Sequence, residues 1–244
     1  MRLIPASNYD EMSTYAATIL VEQVSAYPES VLGLATGSTP IGTYSGMIKA
    51  YREGRVSFAA CQSVNLDEYV GLDQTDEQSY KTFMQEQLFA HIDMKPEHIH
   101  IPNGKNLDTD AECVRYDQLL AELGPIDIQV LGIGHNGHIG FNEPAEHFVP
   151  GTHKVDLDDS TIDANQRFFN SRDDVPRAAY TMGMAPIMQA SCVLLLVSGE
   201  AKAEILHRSL TGPITPQVPA SILQLHHNLI VIADKDACRL FDFA

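Results

Sequence analysis

The sequence predicts an α/β protein: a single domain built on a mostly parallel sheet with helices on both faces. Two observations carry that prediction. Short apolar runs alternate with stretches of helical length along the whole chain, the pattern of strands joined by covering helices. The 244 residues, 44% of them hydrophobic, show no second composition regime, no repeat and no low-complexity segment, so one core serves them all.

The elements follow in order. Arg2-Leu3-Ile4-Pro5 is a short first strand, and Tyr9 to Tyr27 has the length and period of a helix. Val31-Leu32-Gly33-Leu34-Ala35 then runs into Thr36-Gly37-Ser38-Thr39-Pro40. An apolar run, a small-residue turn and a proline read as strand, loop and helix start. Backbone N–H groups at such a start bind phosphate well, although a plain strand-to-helix turn looks the same. Ser63-Val64-Asn65-Leu66 is a strand ending in Asp67-Glu68-Tyr69-Val70-Gly71-Leu72, followed by a helix from Glu77 to Ile92 and a turn at Pro102-Asn103-Gly104. Ala111 to Leu123 is an amphipathic helix that Gly124-Pro125 stops, and Ile126 to Leu131 is the next strand.

Residues 145–180 have no strong apolar period and are rich in Asp, Asn, Ser, Thr and Arg. So long an irregular stretch in a compact domain is either an active-site lid or a surface excursion. Cys192 to Val197 is the most apolar strand. It leads through Ser198-Gly199-Glu200-Ala201-Lys202 into a helix reaching Leu210. A linker (Gly212-Pro213 and Pro216 to Pro219), a short helix capped by Ser221 and a last strand, Leu229 to Ala233, complete the chain.

Composition narrows the function. The formal charge of −16 opposes nucleic-acid binding, which rests on phosphate neutralisation by Lys and Arg. A small anionic substrate is still compatible, because charges beyond roughly 8 Å are screened at physiological salt. No apolar run reaches the roughly 18 residues of a membrane span, and the N-terminus turns polar at Ser7-Asn8 before the apolar core of a signal peptide forms. Cys61, Cys113, Cys192 and Cys238 are far apart and form no C-x-x-C pair, as befits free thiols in a reducing cytoplasm, the expected location.

The densest chemistry lies in Gly132-Ile133-Gly134-His135-Asn136-Gly137-His138-Ile139-Gly140-Phe141-Asn142-Glu143-Pro144. Its glycines match the dinucleotide fingerprint, with Asp156 at the expected acidic position, but the context opposes that reading. The fingerprint opens a helix after a first strand, whereas this stretch follows a late strand and Pro144 closes off any helix. His135-x-x-His138 with Glu143, and His98-x-His100, are weak metal patterns that lack the helical spacing of a zinc motif. Neither a redox cofactor nor a metal is expected.

Taken together, Asn65-Leu66-Asp67-Glu68-Tyr69-Val70-Gly71-Leu72 and the 132–144 stretch resemble the glucosamine-6-phosphate deaminase family. The resemblance extends to Leu34 to Pro40, Ala164-Asn165-Gln166-Arg167-Phe168-Phe169, Ser198 to Ala203 and Leu223-Gln224-Leu225-His226, so it covers nearly the whole chain. It implies a Rossmann-like domain converting glucosamine 6-phosphate into fructose 6-phosphate and ammonia. It also implies roles: Asp67 as the base that moves the C2 proton to C1, and His138 as the group that opens the sugar ring. Glu143 and Asn136 would hold that histidine, and Arg167, Lys202 and the loop Thr36, Gly37, Ser38, Thr39 would grip the phosphate.

The chemistry asks for the same residue types. Proton removal beside a masked carbonyl needs a positioned carboxylate, ring opening needs a group that gives and takes a proton near neutrality, and a distant phosphate handle supplies orientation. Taken singly, Asp67 reads equally as a helix cap, and Lys202 and Arg167 as surface cations. Asn136 departs from those members that carry an aspartate there; it brings no charge, so Asn136→Asp is expected to move a limb of the pH–rate profile upward.

Three rivals remain at this level. A 6-phosphogluconolactonase has a similar loop, but with a Leu-Phe-Pro type continuation in place of Phe141-Asn142-Glu143-Pro144. A galactosamine-6-phosphate deaminase stays open. A sugar-phosphate sensor fused to a transcriptional regulator would need a basic helix-turn-helix segment, and none is visible. Some relatives are longer hexamers activated by N-acetylglucosamine 6-phosphate. This chain ends at Phe241-Asp242-Phe243-Ala244, so a simpler, unregulated enzyme is expected, with its oligomeric state open.

Overall fold

The structure, a computed structural model, describes residues 1–166, 169 and 171–242. In chain order its strands and helices are β1 (Arg2–Ala6), α1 (Tyr9–Ala26), β2 (Val31–Leu34), α2 (Ile41–Arg52), β3 (Gln62–Asn65), β4 (Asp67–Tyr69), α3 (Tyr80–Gln87), β5 (Ile99–His100), α4 (Thr109–Leu123), β6 (Ile128–Leu131), β7 (His153–Asp156), α5 (Asp159–Asn165), β8 (Ala178–Thr181), α6 (Met184–Gln189), β9 (Cys192–Val197), α7 (Ala203–Thr211) and β10 (Leu229–Asp234).

Seven strands form one sheet in the order β1-β10-β9-β6-β2-β3-β5, and every neighbouring pair in it is parallel. All residues of β2, β6, β9 and β10 are buried. Successive strand residues point to opposite faces, so burial of every one means that both faces are covered. That is why these strands read as unbroken apolar runs. Local signals place the helix starts. The Asn8 side chain accepts the Glu11 N–H at 2.9 Å ahead of α1, and Asp108 accepts the Ala111 N–H at 3.1 Å ahead of α4.

Strand order decides where chemistry can sit. From β2 the chain builds outward through β3 and β5, then returns to place β6 on the other side of β2 and builds outward again through β9 and β10. The connections therefore diverge between β2 and β6, and open α/β sheets bind ligands in the crevice at such a switch point.

A second sheet of three antiparallel strands, β4-β8-β7, stands beside the first. Leu66 is the hinge: its N–H donates to Leu34 O in the large sheet at 3.3 Å, while its C=O accepts Met182 N–H at 2.6 Å just after β8. Asp67 is thus the first residue of β4 and not part of a strand-end loop. The 145–180 stretch differs from the expectation of irregular chain, since it holds β7, α5 and the start of β8. These elements pack on a small core of their own, Tyr69, Phe141, Leu157, Ile162, Val175 and Ala179. The helix expected over 77–92 is shorter. Ser79 caps α3 by accepting the Thr82 N–H, and at Leu88 the backbone leaves α geometry for a single 3₁₀ turn. Ser221 lies inside a 3₁₀ turn and is not its cap; its hydroxyl bonds the backbone of Thr215. Among the described residues no helix is long and apolar enough to cross a membrane, and Cys61, Cys113, Cys192 and Cys238 are unbridged.

Candidate active site

The loop after β6 opens no helix. It folds back on itself, with Gly134 N–H donating to His138 O at 2.9 Å and Gly137 N–H to Gly134 O at 3.1 Å. A dinucleotide fingerprint needs a helix N-terminus here, so the structure removes that reading. The glycines serve packing. A Cβ on Gly134 would collide with the His138 ring, so only glycine lets the imidazole lie across the backbone.

His138 is held from two directions. Its N–H donates to Asn136 Oδ1 at 3.1 Å, and its Nδ1 lies 3.3 Å from Glu143 Oε2. Asn136 Nδ2 donates to the same Glu143 oxygen at 2.6 Å, and Thr161 Oγ1, from α5, donates to Glu143 Oε1 at 2.5 Å. Burial by itself would raise the proton affinity of Glu143. Its bonds to His138, Thr161 and Asn136, with the attraction of His138, outweigh that and hold the carboxyl below the ordinary glutamate range. Glu143 therefore stays ionised and fixes which ring nitrogen of His138 faces it. Asp158, at the N-cap of α5, places Oδ2 3.4 Å from Asn136 Nδ2. His135 is exposed, and Asn142 ties the loop to Ile139 O and Met182 O instead of facing the site.

Asp67 comes to this loop from β4. It is 6% exposed, and no hydrogen-bond donor reaches its carboxylate among the described residues. Desolvation, reinforced by the neighbouring Glu68 charge, pushes its proton affinity up to a pKa of about 8. Gly140, two residues beyond His138, is what brings the two together. A Cβ there would sit 3.4 Å from Asp67 Oδ2 and 3.0 Å from Thr181 Oγ1, and the backbone φ of +57° already favours glycine. Glu68, the next residue and also buried, is structural. It accepts the backbone N–H groups of Tyr69, Tyr80 and Lys81 and so anchors the start of α3. Tyr80 in turn bonds Tyr69 and the Thr36 hydroxyl and stacks on Phe141, a firm apolar floor shared by Asp67 and the loop.

The Thr36–Thr39 loop follows β2 across the switch point. Two tyrosine hydroxyls pin it: Tyr44 donates to Ala35 O at 2.5 Å, and Tyr9 donates to Ser38 O at 3.1 Å while accepting the Gly42 N–H at 2.9 Å. Lys202, after β9, donates from Nζ to Ile133 O at 2.8 Å, which fixes the ammonium above the end of β6. Its turn is held by Asp234, whose carboxylate accepts from Ser198 Oγ and the Gly199 N–H. Arg167 lies outside the described residues. Thr161, Asp158, Thr181 and Tyr80 carry no motif signal; each acts only through residues distant in the chain.

Such a cluster on one rim of an open parallel sheet belongs to acid–base chemistry on a small polar substrate. The chain is a member of the family of glucosamine-6-phosphate isomerases and 6-phosphogluconolactonases, whose model matches residues 6–232. It is 55% identical to the glucosamine-6-phosphate deaminase of Lachnoclostridium phytofermentans, over 95% of its own length and 98% of that protein. To the glucosamine-6-phosphate deaminase of Clostridium perfringens strain 13 it is 49% identical, over 98% and 99%. The solved structure of a monomeric glucosamine-6-phosphate deaminase superposes with a TM-score of 0.96 at 46% identity, over 99% of this chain and 100% of that one. A 6-phosphogluconolactonase from Leishmania guyanensis, at 18% identity and a TM-score of 0.76, shares the Rossmann-like fold alone.

Proposed function

We propose that the protein is a glucosamine-6-phosphate deaminase, a hydrolase that turns glucosamine 6-phosphate and water into fructose 6-phosphate and ammonia. The observation that carries the reading is that a buried carboxylate, Asp67, lies against Gly140 of the same loop that holds the His138–Glu143 pair at the switch point. Hydrolysis of a lactone needs no base placed to shuttle a carbon-bound proton. Relatives that share about half of their residues with this chain over nearly its full length carry the same activity in their names.

The chemistry follows from the geometry. His138, oriented by Glu143 and Asn136, moves a proton from the C1 hydroxyl to the ring oxygen, which frees the aldehyde. Asp67 takes the C2 proton and returns it at C1, and an amine proton passes to the C1 oxygen, which leaves a C1 hydroxyl and an imine at C2. Water adds to that carbon, and ammonia departs. A low-polarity pocket suits Asp67, because desolvation makes its carboxylate a stronger base than one in water. The Thr36–Thr39 loop and Lys202 hold the phosphate and so fix C1 and C2 between the two groups. β7 and α5, which bring Thr161 and Asp158 to the histidine, form the cover of the site. Cytoplasmic amino-sugar breakdown is the corresponding setting, and a monomer the corresponding state.

Incubation of the purified protein with glucosamine 6-phosphate should yield ammonia and fructose 6-phosphate in equal amounts, with solvent deuterium entering C1. Asp67→Asn should abolish turnover. Lactone hydrolysis without ammonia release would refute the reading. Galactosamine 6-phosphate, tested in parallel, fixes the sugar preference.

A further inference from the structure

Two carboxylates sit on the amide of Asn136, and the reaction above uses only one of them. Nδ2 donates to Glu143 Oε2 at 2.6 Å and also reaches Asp158 Oδ2 at 3.4 Å, which keeps those oxygens no more than about 6 Å apart. Asp158 occupies the N-cap of α5, where an aspartate ordinarily turns its carboxylate onto the N–H groups of the first helical turn. Asp158 makes no such bond. The helix start is closed by its backbone instead, since Asp158 O accepts the N–H groups of Thr161 and Ile162, each at 2.9 Å. The carboxylate is thereby released from capping and turned onto the 132–144 loop.

We propose that Asp158 is a positioning residue for the acid–base pair: through the neutral amide of Asn136 it places a second negative charge beside Glu143 and His138, and so sets the pH at which that pair takes up its proton. The assignment of the pair to ring opening rests on the deaminase reading; the electrostatic coupling does not. The groups facing Asp158 from the loop are Glu143, which its carboxyl also contacts directly, and His138; burial, then the Glu143 charge and that contact, raise the proton affinity of Asp158 itself against the opposing pull of Asn136 and His138. On α5, Asp159 and Asp163 are both bonded by Arg172 at 2.5 Å, so their charges are offset on the outer side of the helix. Asn136 adds no charge of its own between the two carboxylates it bonds. An aspartate there would crowd three carboxylates around one imidazole, so a charge at 136 and a charge at 158 are alternatives.

Asp158→Asn tests this cleanly, because it removes the charge at nearly constant side-chain size while the backbone bonds that close the helix start are unaffected. Asp158 is solvent-exposed, so water and salt screen its charge. Its removal should lower the limb of the pH–rate profile assigned to the pair by roughly half a pH unit. Asp163→Asn removes a charge from the same helix without facing the loop, and its profile should superpose on that of the wild type. Asn136→Asp combined with Asp158→Asn moves the charge across the contact and should carry the limb back up. The titration of the His138 imidazole followed by NMR in the ligand-free protein should show the same three displacements. An Asp158→Asn limb that does not move, or one that Asp163→Asn moves equally, overturns the proposal. Rates lowered at every pH with the limb unmoved also overturn it, since that is what a purely structural cap would do. If the wild type releases no ammonia the functional reading fails separately, and the NMR displacements still decide the coupling.

Discussion

Asp67→Asn should stabilise the protein while destroying its activity, and the stabilisation should grow with pH. Asp67 is buried without a cation or a hydrogen-bond donor among the described residues, and its proton affinity rises from 3.8 to about 8. A carboxyl raised in the folded state binds more protons folded than unfolded, so stability is complete below about pH 4 and is lost as pH rises toward 8. Between 3.8 and pH 7 that is about three units at about 1.4 kcal/mol each, or about 4 kcal/mol. An amide does not ionise and forfeits none of it. The amide's own desolvation costs about 1–2 kcal/mol, but equally at every pH, so the diagnostic quantity is how the gap changes. Thermal unfolding of the two proteins at pH 5, 6, 7 and 8 reads this directly. For a chain of this length about 1 kcal/mol corresponds to roughly 2–4 °C, so the variant should gain about 8 °C on the wild type between pH 5 and pH 7. Glu68, raised to about 7 by burial, bends both curves in the same sense. A difference in Tm that stays constant across this range would refute the reasoning. The same protonation should leave wild-type kcat/KM rising between pH 6 and 8, well above the ordinary aspartate range, because only the ionised form takes the C2 proton.

Other outcomes follow from single contacts. Glu143→Gln removes the charge that orients His138 and should lower kcat about 100-fold with little change in KM, while Thr161→Val, which strips one donor from Glu143, should cost about tenfold; steady-state kinetics separates the two. Lys202→Ala should raise KM for the sugar phosphate at least tenfold while kcat stays within a few-fold, and a fall confined to kcat would exclude a phosphate role. Gly140→Ala places a methyl against Thr181 and Asp67 at a φ of +57°, so urea unfolding should show a loss of about 1–2 kcal/mol and kcat should fall with it.

What the sequence determined by itself was local. Apolar runs marked β2, β6, β9 and β10 because strands covered on both faces leave no place for polar residues. Caps at Asn8 and Asp108 set helix starts. Asn136, His138 and Glu143 were legible as a unit because eight residues of chain suffice to bring them together. β7 and β8 were not legible: β7 is His153-Lys154-Val155-Asp156, half exposed and too short to show a period. The order of strands, which puts the Thr36 and His138 loops on either side of one crevice, was decided only by tertiary structure. So was the character of Asp67. Its residue type promised an acid of ordinary strength, and burial in β4 against Gly140 makes it a base near neutrality. Thr161 and Asp158 reach Glu143 and Asn136 from 18 and 22 residues away, across a helix start that no pattern announces. Hydrogen bonds, charge and desolvation act through space, and proton affinity is therefore a property of the folded neighbourhood that residue order does not contain.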